Sequence, residues 1–480
     1  MSLKNQTLES ILWNSISYIS LKIINFIISI ILARLLEPSD FGVVGIALIL
    51  INFFEIARDL GIGAALIYRK KDLDIAANTA FIIFPFIATV FYIISYMISP
   101  ITANFFNNDD IEIVIKVLAI TLVIWSFGNL PRTLLQKELK FKKLMIPQII
   151  PRIGYGLISI VLALMGYGIW SLIIGRIVLE ILSLITTWQS VDWRPTLKFD
   201  KKIAIELLSY GKYALKANVI AFIVSAVDII VVGKYLGAEN VGYYSMATTV
   251  STFFTFQIAM IMSQVLFPVY SKINDNKKIG DAYLKTLKFL SLVTFPAAFG
   301  IMGTSWYFIK VILGDKWLPI VNIMQILCIY GLSKSIMKVT ESIFLSSGNA
   351  KISSNMNFIQ LVAIGILIIP FSLKFGIIGT GISVLIPSIL TLYLVLREAS
   401  KIIEKKVYEI IKSFYNPFIG SVIMFLILHL IHKIIPSFSP TLLFSLSIVM
   451  GMLTYFTYIL ITMKEEVSEL IRTFKFIIRY

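Results

Sequence analysis

This chain of 480 residues contains one cysteine and two histidines. A lone cysteine, Cys328, cannot close an internal disulfide, so no disulfide framework holds the fold and nothing follows about redox compartment. With only His429 and His432, both in one apolar run near the C-terminus, metal-ligating patterns such as HExxH cannot be assembled; lone polar side chains of this kind belong to helix packing or the interface. Charge is also scarce: 15% of residues are charged against 58% hydrophobic. That balance excludes a soluble globular protein. Long polar stretches are missing too, so there is no room for a sizeable external catalytic domain.

What is present is a succession of apolar runs of about 20 residues, the length that crosses roughly 30 Å of hydrocarbon as a helix. The short alternating strands of a barrel are not seen. The reading is an all-α polytopic membrane protein with about fourteen spans. Among them are a fourth at 112–130, a fifth at 145–165, a seventh at 211–233, and an eleventh and twelfth at 353–372 and 376–397. The first run, from Ile11, is too long for a signal-peptide core and is expected to stay as a helix.

The formal charge of +16 would point to nucleic acid in a soluble protein. Assigning loops alternately instead puts roughly 29 Lys and Arg on one side and about 6 on the other. Arg69 to Lys71, Arg132 to Lys143, Arg194 to Lys212, Lys272 to Lys288 and Arg397 to Lys412 all fall on the rich side, which the positive-inside rule makes cytoplasmic, with both termini. The excess charge is topology, and no nucleic-acid partner is expected. Two links look amphipathic: Ile402, Ile403, Val407, Ile410, Ile411 and Phe414 oppose Lys401, Glu404, Lys405 and Lys412, and Val467, Leu470, Ile471, Phe474 and Ile478 line the tail. Both read as interfacial anchors.

One short stretch occurs twice in the same register, ARLLEPSDFGVVGIA from Ala33 and GKYLGAENVGYYSMA from Gly233. Each joins the end of one helix to the start of the next. Weaker echoes, GYGIW at Gly166 and GIIGTG at Gly376, open the last helix of each set. Six spans per copy give two lobes of equal orientation, a plan that binds substrate between lobes and rocks them to alternate access. The expected divisions are residues 1–205, residues 206–405, and 406–480 with two further spans and the tail. The glycines of the paired stretch are expected to allow close helix packing and its polar residues to cap helix ends.

The chemistry lies in ionisable residues inside spans, where an unpartnered charge is costly and should face the bundle interior or water. No catalytic signature is found. Cations exceed acids by roughly 3, an imbalance that a cavity for an anion resolves. Arg58, Arg152, Arg176, Lys216, Lys334 and Lys338 are the candidate anion-binding residues. Glu55, Glu180, Asp228 and Glu341 are their charge partners or coupling groups, with Arg176 and Glu180, Lys334 and Lys338, and Glu55, Arg58 and Asp59 at helical spacing. Lys116, Asp59 and Lys22 read as ion pairs or snorkelling side chains. Asp228 pairs with Lys216 or another cation, or serves a coupling ion. Pro147 and Pro151 bend the fifth helix beside Arg152.

Over most of its first 400 residues the chain resembles the polysaccharide transporter family of bacterial flippases, in the superfamily that also holds multidrug extruders and the peptidoglycan-precursor flippase. The colanic-acid and teichuronic-acid exporters are the most similar type. The carriers are LARLLEPSDFGVVGIA (Leu32–Ala47), LPRTLLQKELKFKKL (Leu130–Leu144), GYGIWSLIIG (Gly166–Gly175), WRP (Trp193–Pro195), DIIVVGKYLGAENVGYYSMA (Asp228–Ala247), LFPVYSKI (Leu266–Ile273) and GDKW (Gly314–Trp317). The resemblance implies a bacterial cytoplasmic-membrane flippase that moves an undecaprenyl-diphosphate-linked oligosaccharide to the outer leaflet without chemistry on it. Its partners would be that lipid, membrane lipids and the polysaccharide polymerase machinery. No cofactor is implied, and coupling to H+ or Na+ stays open. Rival readings are an ion-coupled extruder of cationic drugs, which calls for an acidic cavity, and a membrane polymerase or ligase, which calls for a large outer loop.

Overall fold

The computed structural model describes residues 3–58, 60–273, 275–435, 438–464 and 466, apart from the side chains of 3–12, 14, 15, 210–221 and 224. No strand occurs among them. Twelve described segments are long and apolar enough to cross a membrane. Two differences from the sequence count are local. The expected seventh span lies within a 36-residue helix that is not among the twelve, and the expected eleventh and twelfth spans form one 53-residue stretch broken by non-helical backbone at Gly376.

By contact the chain forms two compact units, Met1–Ser245 and Met246–Tyr480. The first contains α1 (Leu3–Leu35), α2 (Pro38–Ala57), α3 (Ile62–Tyr68), α4 (Leu73–Phe106), α5 (Asp110–Leu118), α6 (Ile120–Lys137), α7 (Phe141–Leu164), α8 (Ile169–Gln189), α9 (Lys201–Leu236) and the first residues of α10 (Ala238–Tyr270). The boundary at 205/206 read from the repeat falls inside this unit, because α9 packs on α2, α3 and α4.

The repeated stretch forms two tight connections. At the first, Glu37 caps α2, the Asp40 carboxylate accepts from the Glu37 N–H at 3.1 Å, and Pro38 occupies the opening turn, where its missing N–H costs nothing. At the second, Asn240 donates to the Leu236 carbonyl at 2.7 Å. The two copies cross through their glycines. A Cβ on Gly42 would lie 1.7 Å from the Ala238 carbonyl oxygen, and one on Gly242 would lie 1.9 Å from that of Pro38. Equivalent positions thus meet reciprocally, at a distance only glycine permits. The weaker echoes are also geometric: Gly168 caps α8 at φ 51°, ψ −129°, and Gly376 breaks its helix at φ 61°, ψ −145°.

The WRP segment leaves α8 and lies along α4, where Trp193 donates to Asp74 at 3.4 Å and the Thr196 and Asp200 N–H groups reach Asn78 and Thr79. This fastening sets the start of α9, whose Ile203, Ala204 and Leu207 pack with Ala76, Ala80 and Phe84 of α4.

The second unit contains the rest of α10, α11 (Asn276–Phe308), α12 (Val321–Ser346), α13 (Ala350–Ile402), α14 (Val407–Ser413), α15 (Tyr415–Ile434) and α16 (Pro440–Thr462). Its core gathers Tyr283, Phe295, Phe344 and Ala399, with the Tyr283 hydroxyl on Thr340 at 2.6 Å. The GDKW motif makes a 3-10 turn that sinks Trp317 completely. The final two helices pack on α11, and Tyr455 donates to the Leu292 carbonyl at 3.0 Å. Of the first amphipathic link, Ile403 and Ile410 are buried, Ile411 is exposed, and Lys405 meets Asp281 at 2.6 Å. The expected tail helix lies outside the described residues except for Glu466, which pairs with Lys288.

Candidate functional site: an arginine-lined cavity

Within the first unit, α2 ends at Ala57 because Leu60 and Gly61 adopt left-handed backbone (φ 44° and 72°) inside what would otherwise be one span. The break leaves Glu55 and Arg58 on the last turn. Across from them α8 contributes Arg176, Leu179, Glu180 and Ser183 along one face, and α7 contributes Pro147, Gln148, Pro151 and Arg152. α6 adds Trp125 and Arg132, and α1 adds Leu21. Together they line a cavity of about 200 Å³. α7 remains helical through both prolines, which forfeit two of its backbone hydrogen bonds.

Four guanidiniums face two carboxylates here, so two positive charges are uncompensated by neighbouring acids. Arg176 donates to Glu55 at 3.2 Å, not to Glu180 one turn along as its spacing suggested. The same Glu55 oxygen lies 3.5 Å from Arg58 Nη1, too poorly aligned for a hydrogen bond. Buried Glu180 exerts an electrostatic pull on all four arginines. Arg132 donates to Ser183 at 2.7 Å. Ser17, buried on α1, donates to the Gln148 carbonyl oxygen at 2.9 Å, which leaves the Gln148 amide N–H groups for other acceptors.

The donor inventory is what distinguishes this cavity. Arg58 Nε and Nη1, Arg132 Nε and Arg176 Nε are buried without a hydrogen-bond acceptor. Each such donor costs roughly 1–3 kcal/mol, more when charged. The side chains that carry these donors all line this one cavity, a lining that suits a multiply charged oxyanion, for which the guanidinium fork is well shaped.

Five of the ten residues singled out from the sequence therefore meet in one place: Glu55, Arg58, Arg152, Arg176 and Glu180. Lys334, Lys338 and Glu341 lie elsewhere, in the second unit, around a cavity of about 110 Å³ with Phe256, Ser353 and Asn357. There Lys338 pairs with Glu341 at 2.7 Å, Ser353 donates to the other Glu341 oxygen at 3.0 Å, and Lys334 stands over the Tyr330 ring. The side chains of Lys216 and Asp59 lie outside the described residues. Asp228 accepts from the Tyr244 hydroxyl at 2.8 Å and from the Ile229 N–H at 2.9 Å. Lys116 pairs with Glu112 on its own helix, and Lys22 stands over Tyr18. His432 bonds Ser447 at 2.7 Å and packs on Tyr307, a helix-packing role. No cluster of metal-ligating side chains occurs among the described residues.

Arg132 is not among those ten, since it lies beyond the span expected at 112–130 and falls with the loop cations. The signal was its spacing from Trp125, Gly128 and Asn129, which keeps it on the face of α6 that turns inward.

Residues 31–322 match the family model described as polysaccharide biosynthesis protein, well over half of the chain. The chain belongs to this family. It is 26% identical to the teichuronic acid biosynthesis protein TuaB of Bacillus subtilis, over 73% of this chain and 74% of that one. With the lipopolysaccharide biosynthesis protein WzxC of Escherichia coli it shares 25% identity over 76% of each. Its fold is that of the lipid II flippase MurJ in an inward closed conformation, with a TM-score of 0.75, 18% identity, and coverage of 95% of this chain and 100% of that one. Family and fold agree with the expectation from the motifs.

Proposed function

We propose that the chain is a flippase for a polyprenyl-diphosphate-linked oligosaccharide, carrying the repeat unit from the cytoplasmic to the outer leaflet of the bacterial cytoplasmic membrane for surface polysaccharide synthesis. The observation that carries this reading is the set of unpartnered arginine donors around the first-unit cavity. A diphosphate supplies about two negative charges and acceptor oxygens for those donors. Arg58, Arg132, Arg152 and Arg176 hold the diphosphate, Glu55 and Glu180 hold the arginines in place, and Gln148 offers neutral donors to phosphate or sugar. Lys334 and Lys338 act at a later stage of transfer. The repeats, residues 1–205 and 206–405, alternate access as two lobes, and 406–480 adds two helices and the tail. The polysaccharide polymerase machinery receives the product.

In this reading the chain does no covalent chemistry and uses no organic cofactor; H+ or Na+ coupling is resolved by collapsing each gradient in turn during the assay. A cationic-drug extruder needs an acidic cavity, and the surplus here has the opposite sign. The test is a leaflet-accessibility assay in proteoliposomes with a lipid-linked oligosaccharide. Arg152→Gln and Arg176→Ala are expected to slow transfer at least tenfold while the protein still folds. Native rates in both would sink the assignment.

A further inference from the structure

No carboxylate grips the guanidinium of Arg58 closely. Its Nε and Nη1 have no acceptor, and its distance to Glu55 is 3.5 Å. What fixes it is a ring: its guanidinium carbon lies 3.4 Å from the centroid of Trp125. The residue is only 8% exposed, so this stack operates away from bulk water, where cation-π attraction is strongest. Trp125 is itself braced edge-on by Phe84, a fully buried ring of α4, at 6.5 Å.

The two ways of holding an arginine have different consequences. A carboxylate partner occupies the N–H edge and cancels the charge. An aromatic face grips the plane, leaving both the edge and the charge available to something else. Stacking also fixes the direction in which the edge points, which a flexible side chain would otherwise have to settle on binding at an entropic cost. Arg58 caps the end of α2 with its N–H on the Phe54 carbonyl at 2.8 Å, so the backbone fixes where the side chain starts and the ring fixes where its guanidinium lies.

We propose that Trp125 is a positioning residue for anion recognition: it stacks on Arg58 so that the guanidinium edge, still fully charged, is presented to a phosphate group in the cavity. The inference rests on the reading of that cavity as a diphosphate site. The experiment is calorimetric titration of inorganic pyrophosphate into the full-length protein in lipid nanodiscs, with thermal unfolding followed in parallel. Trp125→Leu is expected to weaken binding about tenfold, and Trp125→Phe, which restores a π face, to recover most of the loss. In an Arg58→Gln background Trp125→Leu should add nothing further. A purely structural role would give additive losses and no rescue by Phe.

Arg58→Lys forms a second arm that leaves Trp125 untouched. It keeps the charge without the planar fork, and should bind pyrophosphate more weakly than the native chain but more tightly than Arg58→Gln. Native affinity in Arg58→Lys or in Trp125→Leu, or additivity in the double variant, overturns the inference. Arg152→Gln separates the two levels: if it binds as tightly as the native chain the diphosphate reading falls, whereas weaker binding beside a silent Trp125→Leu removes only the role given to Trp125.

Discussion

Glu55→Gln separates what the cavity needs for stability from what it needs for binding. One Glu55 oxygen serves Arg176 at 3.2 Å and Arg58 at 3.5 Å, in side chains that are between 10% and 23% exposed. Removing one partner of a fully buried pair costs roughly 3–5 kcal/mol, because the remaining charge has lost its compensation. Partial exposure reduces that to about 2 kcal/mol. Binding should move the other way, since the surplus rises by one charge. At about 6 Å and an effective dielectric of about 20, one charge changes the interaction by about 3 kcal/mol. Screening halves it, leaving about tenfold tighter binding. Thermal unfolding with and without pyrophosphate reads both effects: the variant should unfold at lower temperature alone and recover more than the native chain when the anion is added. Equal stability, or weaker binding, would refute the balance of charges drawn here.

Arg132→Gln is expected to weaken pyrophosphate binding as much as Arg152→Gln, while Lys140→Gln, at an exposed pair with Glu138, should leave it unaltered; titration of the three decides whether Arg132 belongs to the site. Lys334→Ala is expected to slow leaflet transfer several-fold without changing pyrophosphate affinity, since its cavity is separate from the arginine cluster. Ala at Gly42 or Gly242 places a methyl under 2 Å from a backbone carbonyl, and helix displacement at roughly 1–3 kcal/mol should lower the unfolding temperature; unaltered stability would contradict the close crossing. The Lys405 ammonium is held above the usual lysine range by its hydrogen bond to Asp281. A raised lysine value stabilises the fold at every pH below about 10.4 and is lost as pH climbs through the folded value, so Asp281→Asn should flatten the alkaline end of the stability profile.

Much of this was legible because a membrane penalises charge. Glu55, Arg58, Arg152, Arg176 and Glu180 stood out from apolar runs, and a shared cavity is the physical answer to their cost. The register of the repeat was equally readable, since a close crossing needs Gly at both Gly42 and Gly242. Sequence gave poorer guidance where lipid relaxes soluble rules. The fourth span is expected to close at 130, yet α6 runs on through Pro131 to Lys137, as proline is tolerated where neighbouring helices satisfy the freed backbone. Periodicity could not say that Lys334 and Lys338 line a different cavity from Arg176, because faces of separate helices are matched only by packing.

The central claim is that the first-unit arginines hold a phosphate-bearing lipid. Native mass spectrometry of the protein purified from cells making surface polysaccharide measures it directly. The account predicts an adduct with the mass of a polyprenyl-diphosphate oligosaccharide on the native chain and its loss from the folded Arg152→Gln, Arg176→Gln double variant. Retention of that adduct by the variant, or a co-purifying ligand without phosphate, would contradict it.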